Sequence, residues 1–288
     1  MTALTPPDSL RAVTWNLYLG GLDNGDDKRL RAQTEILVGL SPDVLCLQEC
    51  MGWDAHDERI LFQTADALGM APVRMARSRI GDGRNYTALL YRPSSLRLMG
   101  QRTLGEGTFH HALIRARLRP VAAEDDTNDF VAFGTHFSWV DGDSRLGEAR
   151  WMTDYGGIFP GVPPRALLLG DLNTPDREPA NWSLTPQHLQ SRYRVVLDNG
   201  DFGPADQRPV KVLLNSGWQD PQTLTGKART ATVGYWWDNE KKQDPWSLDY
   251  ILTSGMQPVD YFTYDTQSAR VASDHLPVVC DVKVGTHA

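Results

Sequence analysis

Short apolar runs, most of them rich in Leu, Val and Ile, recur along the chain, and polar residues gather at their ends. They occupy Arg11–Asn16, Asp43–Glu49, Thr87–Tyr91, Phe130–His136, Arg165–Asp171, Leu248–Leu252 and Leu276–Val282. Continuous apolar runs of this length predict strands buried on both faces. Helical periodicity lies between them. Residues 27–40 place Leu30, Thr34, Leu37 and Val38 on one stripe and stop before Pro42. Residues 57–68 place Ile60, Leu61, Ala65 and Leu68 on one face, with Gly69 as a C-cap. Residues 144–155, before Gly156-Gly157, and 210–216, before Gly217, predict two more helices. The acidic stretch 122–129 reads as a hairpin tip, and 160–164 as a connection. With no internal repeat and no linker stronger than a loop, the alternation predicts one α/β domain over residues 11–284. Two packed sheets carry helices outside, with short tails at 1–10 and 285–288.

Composition narrows the function classes. In 288 residues, Lys and Arg total 29 and Asp and Glu 36, a net charge of −7. Such a chain is not drawn to a polyanion by net charge, so any phosphate recognition needs a local basic patch or a bound cation. An apolar share of 41% and a charged share of 23% exclude a disordered chain, a collagen-like repeat and a strongly basic nucleic-acid coat. No signal-peptide pattern is visible, and no apolar run nears the ~20 residues that span a bilayer. Cys46, Cys50 and Cys280 are too sparse for a disulfide framework and read as small buried hydrophobes. The expectation is a soluble cytoplasmic protein with no obligate protein partner, although a secreted mature form would look the same.

The polar residues at the run ends carry the chemistry. Asn16, Glu49 and His136 end their runs; Asp171 and Asn173 follow another; Asp249 lies inside one; Asp274-His275 precedes the last. Strand ends on one edge of a layered α/β fold converge on a common pocket. Oxygen donors from Asp, Glu and Asn suit Mg²⁺, Mn²⁺ or Ca²⁺ rather than zinc. A hard cation beside carboxylates and imidazoles suits phosphoryl chemistry, in which the metal polarises the phosphoryl oxygen and a base activates water. Asp171 and Asn173, two apart, share a face in an extended segment. Asp249, costly inside an apolar run if unpaired, finds a natural partner in His275.

The strings Thr14-Trp15-Asn16-Leu17, Leu47-Gln48-Glu49, Gly134-Thr135-His136, Gly170-Asp171-Leu172-Asn173, Leu248-Asp249-Tyr250-Ile251-Leu252 and Ser273-Asp274-His275-Leu276-Pro277 occur in this order. Together they resemble the endonuclease/exonuclease/phosphatase superfamily, which includes deoxyribonuclease I, exonuclease III-like repair nucleases, neutral sphingomyelinases and inositol polyphosphate 5-phosphatases. The resemblance implies a four-layered α/β sandwich with the site at one end of two packed mixed sheets. It implies that Glu49 is the principal metal ligand, with Asn16 beside it and Asp274 as a further or water-mediated contact. Asp171 would orient or deprotonate the attacking water, and Asn173 would bind the scissile phosphate. His275, supported by Asp249, would stabilise the transition state; in some members this pair is instead assigned as the base. His136 matches a histidine of the deoxyribonuclease I-like and sphingomyelinase-like branches, an acid or phosphate ligand. The acidic partner that this histidine has in deoxyribonuclease I is not placed in this sequence; Tyr86 or Tyr91 falls near that position.

Substrate signals are local. Between residues 74 and 92 lie Arg74, Arg77, Arg79, Arg84 and Arg92 against Asp82, with Gly81, Gly83 and Asn85 suggesting a mobile loop that could dock phosphate. Arg145 and Arg150 are weaker versions of the same signal. The segment from Tyr235-Trp236-Trp237 to Trp246, with Lys241-Lys242, is either packing or a platform for a planar group. His110-His111 reads as an exposed or structural pair. These features predict a metal-dependent phosphoesterase, with a phosphodiester of nucleic acid as substrate. A small-molecule phosphatase or phosphodiesterase is the alternative, and an inactive binding module a minor one.

Overall fold

The protein is described from a computed structural model covering residues 9–79, 81, 83–105, 107–235 and 245–284. The chain runs β1 (Leu10–Asn16), α1 (Lys28–Leu40), β2 (Val44–Gln48), α2 (Ala55–Leu68), β3 (Ala71–Arg77), β4 (Tyr86–Tyr91), β5 (Leu96–Leu104) and β6 (Leu113–Pro120). It continues through β7 (Phe130–His136), α3 (Gly142–Trp151), β8 (Ala166–Asp171), α4 (Gln187–Tyr193), β9 (Arg194–Val196), β10 (Phe202–Ala205), α5 (Arg208–Asn215) and α6 (Pro221–Thr225). It closes with β11 (Asp249–Ser254), β12 (Gln257–Thr263), α7 (Gln267–Ala272) and β13 (Val278–Lys283).

Two mixed sheets form, in the orders β12-β13-β1-β2-β4-β3 and β11-β8-β7-β6-β5. Each is built around a parallel pair, β1 with β2 and β7 with β8, and every other pairing is antiparallel. Between the sheets lies an apolar layer including Val44, Leu89, Ile114, Phe130, Leu167, Leu169 and Ile251. A second cluster lies under α1, α2 and α7, with Trp15, Leu37, Leu47, Leu61 and Ala269. A third lies under α3 and α5, with Phe133, Ala149, Leu168 and Leu213. The four layers predicted from the sequence are therefore present. Cys46, Cys50 and Cys280 are free and buried. Among the described residues no helix is long and apolar enough to cross a membrane.

Several sequence expectations shift. The strand expected from Leu276 starts at Val278, after Pro277, which has no N–H to give a ladder. The helix expected over 144–155 starts at Gly142, capped by Asp141 accepting from Ser144 N, and ends at Trp151. Residues Thr153–Gly156 tighten into a 3₁₀ turn. The acidic tip does join β6 to β7; its Asp129 is buried and paired with Arg117 at 2.6 Å and Arg119 at 2.5 Å. Strands β3, β5, β6, β9, β10 and β12 are not among the predicted runs.

Candidate active site

The topology gathers the chemistry at one end of the sandwich. Asn16, Glu49, His136 and Asp171 lie at or just beyond the C-terminal ends of the parallel strands β1, β2, β7 and β8. Strands β11 and β13 run antiparallel to β8 and β1, so their N-terminal ends face the same edge. Asp249 opens β11 directly opposite Asp171, and Asp274-His275 lead into β13.

Asp171 is the hub. Its Oδ1 accepts from Asn173 N at 2.8 Å, and its Oδ2 accepts from Asn16 Nδ2 at 3.1 Å. Nε2 of His136 lies 3.5 Å from Oδ2 and Nε2 of His275 3.9 Å. Burial and the charge of Asp249 raise its pKa well above the usual carboxylate range. Asn173 holds φ at +47°, a left-handed conformation that turns the chain back on Asp171, and its Nδ2 donates to Phe137 O at 3.0 Å. The preceding Gly170 is a packing requirement, since a Cβ there would meet Thr135 O at 2.3 Å.

Asp249 and His275 form a buried pair, with Oδ2 and Nδ1 2.8 Å apart. Burial alone would push the His275 pKa down, but Asp249 and Asp274 hold it well above 6.5, so the ring carries charge at neutral pH. An imidazolium near both carboxylates offsets part of the repulsion between the opposed Asp171 and Asp249. The core fixes this ring from behind: Trp15 Nε1 donates to His275 O at 2.9 Å, and His275 N donates to Ser273 Oγ at 3.2 Å.

Glu49 and Asp274 face the same region with weaker compensation. Glu49 Oε1 accepts from Asn16 Nδ2 at 3.3 Å and Oε2 from Leu19 N at 3.2 Å. Its backbone is left-handed, at φ +57°. The Gly20 turn presses so close that a Cβ would lie 2.2 Å from Met51 O. Burial first and Asp274 second raise the Glu49 pKa; burial and Asp249 raise that of Asp274. Two desolvated carboxylates near each other are what a hard cation would neutralise, and their oxygens are the donors such an ion prefers. Asp171, Asp249 and His275 also place ligand atoms within 4.8 Å of one another. The His275 charge offsets only part of the negative charge of that trio, and Asp249 Oδ1 is buried without a hydrogen-bond partner. Asn16 turns its amide nitrogen to both Glu49 and Asp171, while its Oδ1 accepts from Tyr18 N at 3.0 Å.

The chain matches the profile of the Endonuclease/Exonuclease/phosphatase family over residues 13–275. It belongs to that family. Solved structures agree on the fold. A mannosyl-6-phosphatase of Bacteroides thetaiotaomicron superposes with TM-score 0.65 at 15% identity, covering 95% of this chain and 99% of that one. The human Nocturnin catalytic domain with bound sulfate gives 0.64 at 16%, covering 97% and 96%. ANGEL2, a 2′,3′-cyclic phosphatase in complex with adenosine-2′,3′-vanadate, gives 0.61 at 13%, covering 95% of each. No curated protein sequence matches the chain.

Within this family member, the remaining predicted residues separate. Among the described residues His136 has no acidic partner other than Asp171; its ring stacks on His111, with centroids 3.9 Å apart and planes 12° apart. Tyr86, one candidate for that partner position, donates its hydroxyl to Asp54 at 2.9 Å. Tyr91 pairs with Val44 and Ala71 at the far end of the sheet. Burial, then His111, pushes the His136 pKa well below 6.5, which keeps the ring neutral. His110 and His111, expected to be exposed or structural, are buried beside the site. Nδ1 of His111 lies 2.6 Å from Ser78 Oγ, and burial pushes its pKa down to about 3.

The arginine cluster is not one mobile loop. Arg74 and Arg77 lie on β3, and Arg79 and Arg84 in the loop after it, at the site end; all four are exposed. Arg79 N donates to His110 O at 3.0 Å, tying that loop to the histidines. Arg92 sits at the opposite end, donating to Pro42 O and Leu68 O. Arg145 is buried and donates to Ser138 O, so it supports the loop after β7. Arg150 is exposed in the last turn of α3. Trp246 packs in the interior against Trp182 and Tyr193. Trp236, Trp237, Lys241 and Lys242 lie outside the described residues. An aromatic the sequence reading missed, Trp139, stands 42% exposed three residues beyond His136, with the Arg192 guanidinium 4.5 Å from its ring centre.

Proposed function

We propose that this family member is a divalent-metal-dependent phosphoesterase that cleaves a phosphodiester of nucleic acid by attack of water on phosphorus. The convergence of Asn16, Asn173, His136 and His275 on the Asp171 carboxylate carries the reading. Glu49 and Asp274 would hold the cation, with Mg²⁺ favoured and Mn²⁺ or Ca²⁺ as substitutes. Bound there, it would supply Lewis-acid polarisation of a phosphoryl oxygen and neutralise the crowded carboxylates. Asn16, first expected as a ligand beside Glu49, is better placed to position Glu49 and Asp171.

The protein's own groups divide the rest. Asp171, with its raised pKa, accepts a proton from the attacking water. Asn173 has a spare amide hydrogen for a phosphate oxygen. The His275 imidazolium, held by Asp249, faces the negative charge that grows in the transition state. His136 acts as a neutral hydrogen-bond donor rather than an acid, because its ring is uncharged. Exposed Arg74, Arg77, Arg79 and Arg84 at the same end favour a phosphate-rich substrate.

A small-molecule phosphate ester is the second reading. It is favoured by the confinement of the arginines to one corner, with Arg92 and Arg145 turned elsewhere. The test is a panel of Mg²⁺, Mn²⁺ and Ca²⁺ against plasmid DNA, RNA, nucleotide monophosphates, bis(p-nitrophenyl) phosphate and sphingomyelin. Metal-dependent cleavage of DNA or RNA supports the first reading. Turnover of small esters alone supports the second, and no turnover of any ester refutes both.

A further inference from the structure

A cavity of ≈ 300 Å³ opens between β3 and the segment joining β5 to β6, and it adjoins the site without belonging to it. Arg74, Arg77 and Arg79 line it, and no acid is among its described lining residues. Thr103 and His111 also line it, and Thr103 Oγ1 and His111 Nε2 are both buried without a hydrogen-bond partner. Ser78 Oγ and His111 Nδ1 share a hydrogen bond, and in the tautomer in which the hydroxyl donates, the proton of a neutral His111 sits on Nε2. Every polar group named here can then donate, and none needs to accept. Such a donor set suits a phosphate, whose oxygens accept many charge-assisted bonds. The His111 ring is also stacked on His136, which reaches Asp171. Two stacked rings therefore separate the cavity from the reacting centre.

We propose that this cavity is a second phosphate subsite, which receives a phosphate group flanking the scissile one on the same substrate. The proposal rests on the phosphoesterase reading and narrows it to substrates with two neighbouring phosphates. The flanking group can belong to a nucleic-acid strand or to a small bisphosphate.

The experiment compares kcat/KM for thymidine 5′-(p-nitrophenyl phosphate) with and without a 3′-phosphate, in the wild type and in Arg74→Gln, Arg79→Gln and Thr103→Val. The wild type is expected to prefer the two-phosphate ester at least about ten-fold, and each arginine variant to lower that preference about ten-fold. Thr103→Val should lower it too, with an unchanged or higher melting temperature, because it removes a buried unpaired hydroxyl. Arg97→Gln on the distant part of β5 serves as the surface control and should leave the preference intact. A wild-type preference near one, or one unmoved by all three variants, overturns the subsite. If neither ester is hydrolysed with any metal, the phosphoesterase reading is decided by the wider substrate panel and falls only if that panel also shows no turnover. Calorimetric titration with thymidine 3′,5′-bisphosphate then decides the subsite alone: binding weakened by Arg74→Gln and Thr103→Val upholds it, and absent binding overturns it. An oligothymidylate without terminal phosphates, competing better than the bisphosphate, assigns the group to a strand; the reverse order assigns it to a small molecule.

Discussion

Replacing Asp249 by Asn removes one charge and almost no volume from the most buried part of the site. The carboxylate and the His275 ring are 2.8 Å apart. At that distance the gross attraction is about 6 kcal/mol with an effective dielectric of 20, and desolvation of both ions consumes most of it. A charge-assisted hydrogen bond retains about 1.5–3 kcal/mol net. If the charged ring stabilises the transition state, kcat should fall about 10- to 150-fold while KM changes little. The pH profile gives a second readout. His275 is held charged above its ordinary pKa by Asp249 first and Asp274 next, against burial. Without Asp249 its pKa falls, so the alkaline loss of activity should move to lower pH. Stability should drop as well, since Asp249 Oδ1 has no partner and an amide turned that way would bury unpaired N–H groups. A cost of about 1–3 kcal/mol lowers Tm by roughly 2–10 °C. The assay is steady-state hydrolysis of bis(p-nitrophenyl) phosphate across neutral and alkaline pH. A kcat within about two-fold of wild type and an unmoved alkaline limb would refute the role given to this pair.

Other perturbations test separate links. Glu49→Gln should weaken Mg²⁺ binding at least about ten-fold by calorimetry, yet raise the metal-free Tm, because a desolvated charge facing Asp274 disappears; unchanged Mg²⁺ affinity would remove Glu49 from the ion. Gly170→Ala forces a Cβ to 2.3 Å from Thr135 O, so chemical denaturation should show a loss of about 2–3 kcal/mol. Trp15→Phe leaves the buried His275 carbonyl without its donor and should cost about 1–3 kcal/mol, with a smaller kcat loss than Asp249→Asn.

What could be read from the chain follows burial. Strands β1, β2, β7, β8, β11 and β13 are buried along nearly their whole length, so they appear as unbroken apolar runs. Strands β3, β5 and β12 lie in or beside edge positions with one face in solvent, and their mixed sequences hid them. Leu113–Pro120 alternates apolar residues with Arg115, Arg117 and Arg119, a period-two signal that marks β6 and was available. The candidate site was legible because its residues stand at strand ends, where an apolar run stops on a polar side chain. His111 was not, because its place depends on stacking with His136 and pairing with Ser78, contacts between segments that no local pattern encodes. The orientation of the Asn16 amide, which decides between ligand and positioning residue, depends on Tyr18 N, Glu49 and Asp171 together.

Hydrolysis in ¹⁸O-enriched water, followed by ³¹P NMR of the released phosphate product, tests the central claim most directly. Water attacking phosphorus at this site predicts one ¹⁸O in the phosphate-bearing product, release that depends on Mg²⁺, and loss of that signal in Glu49→Gln. Label in the alcohol product, or the same turnover without divalent cation, would contradict it.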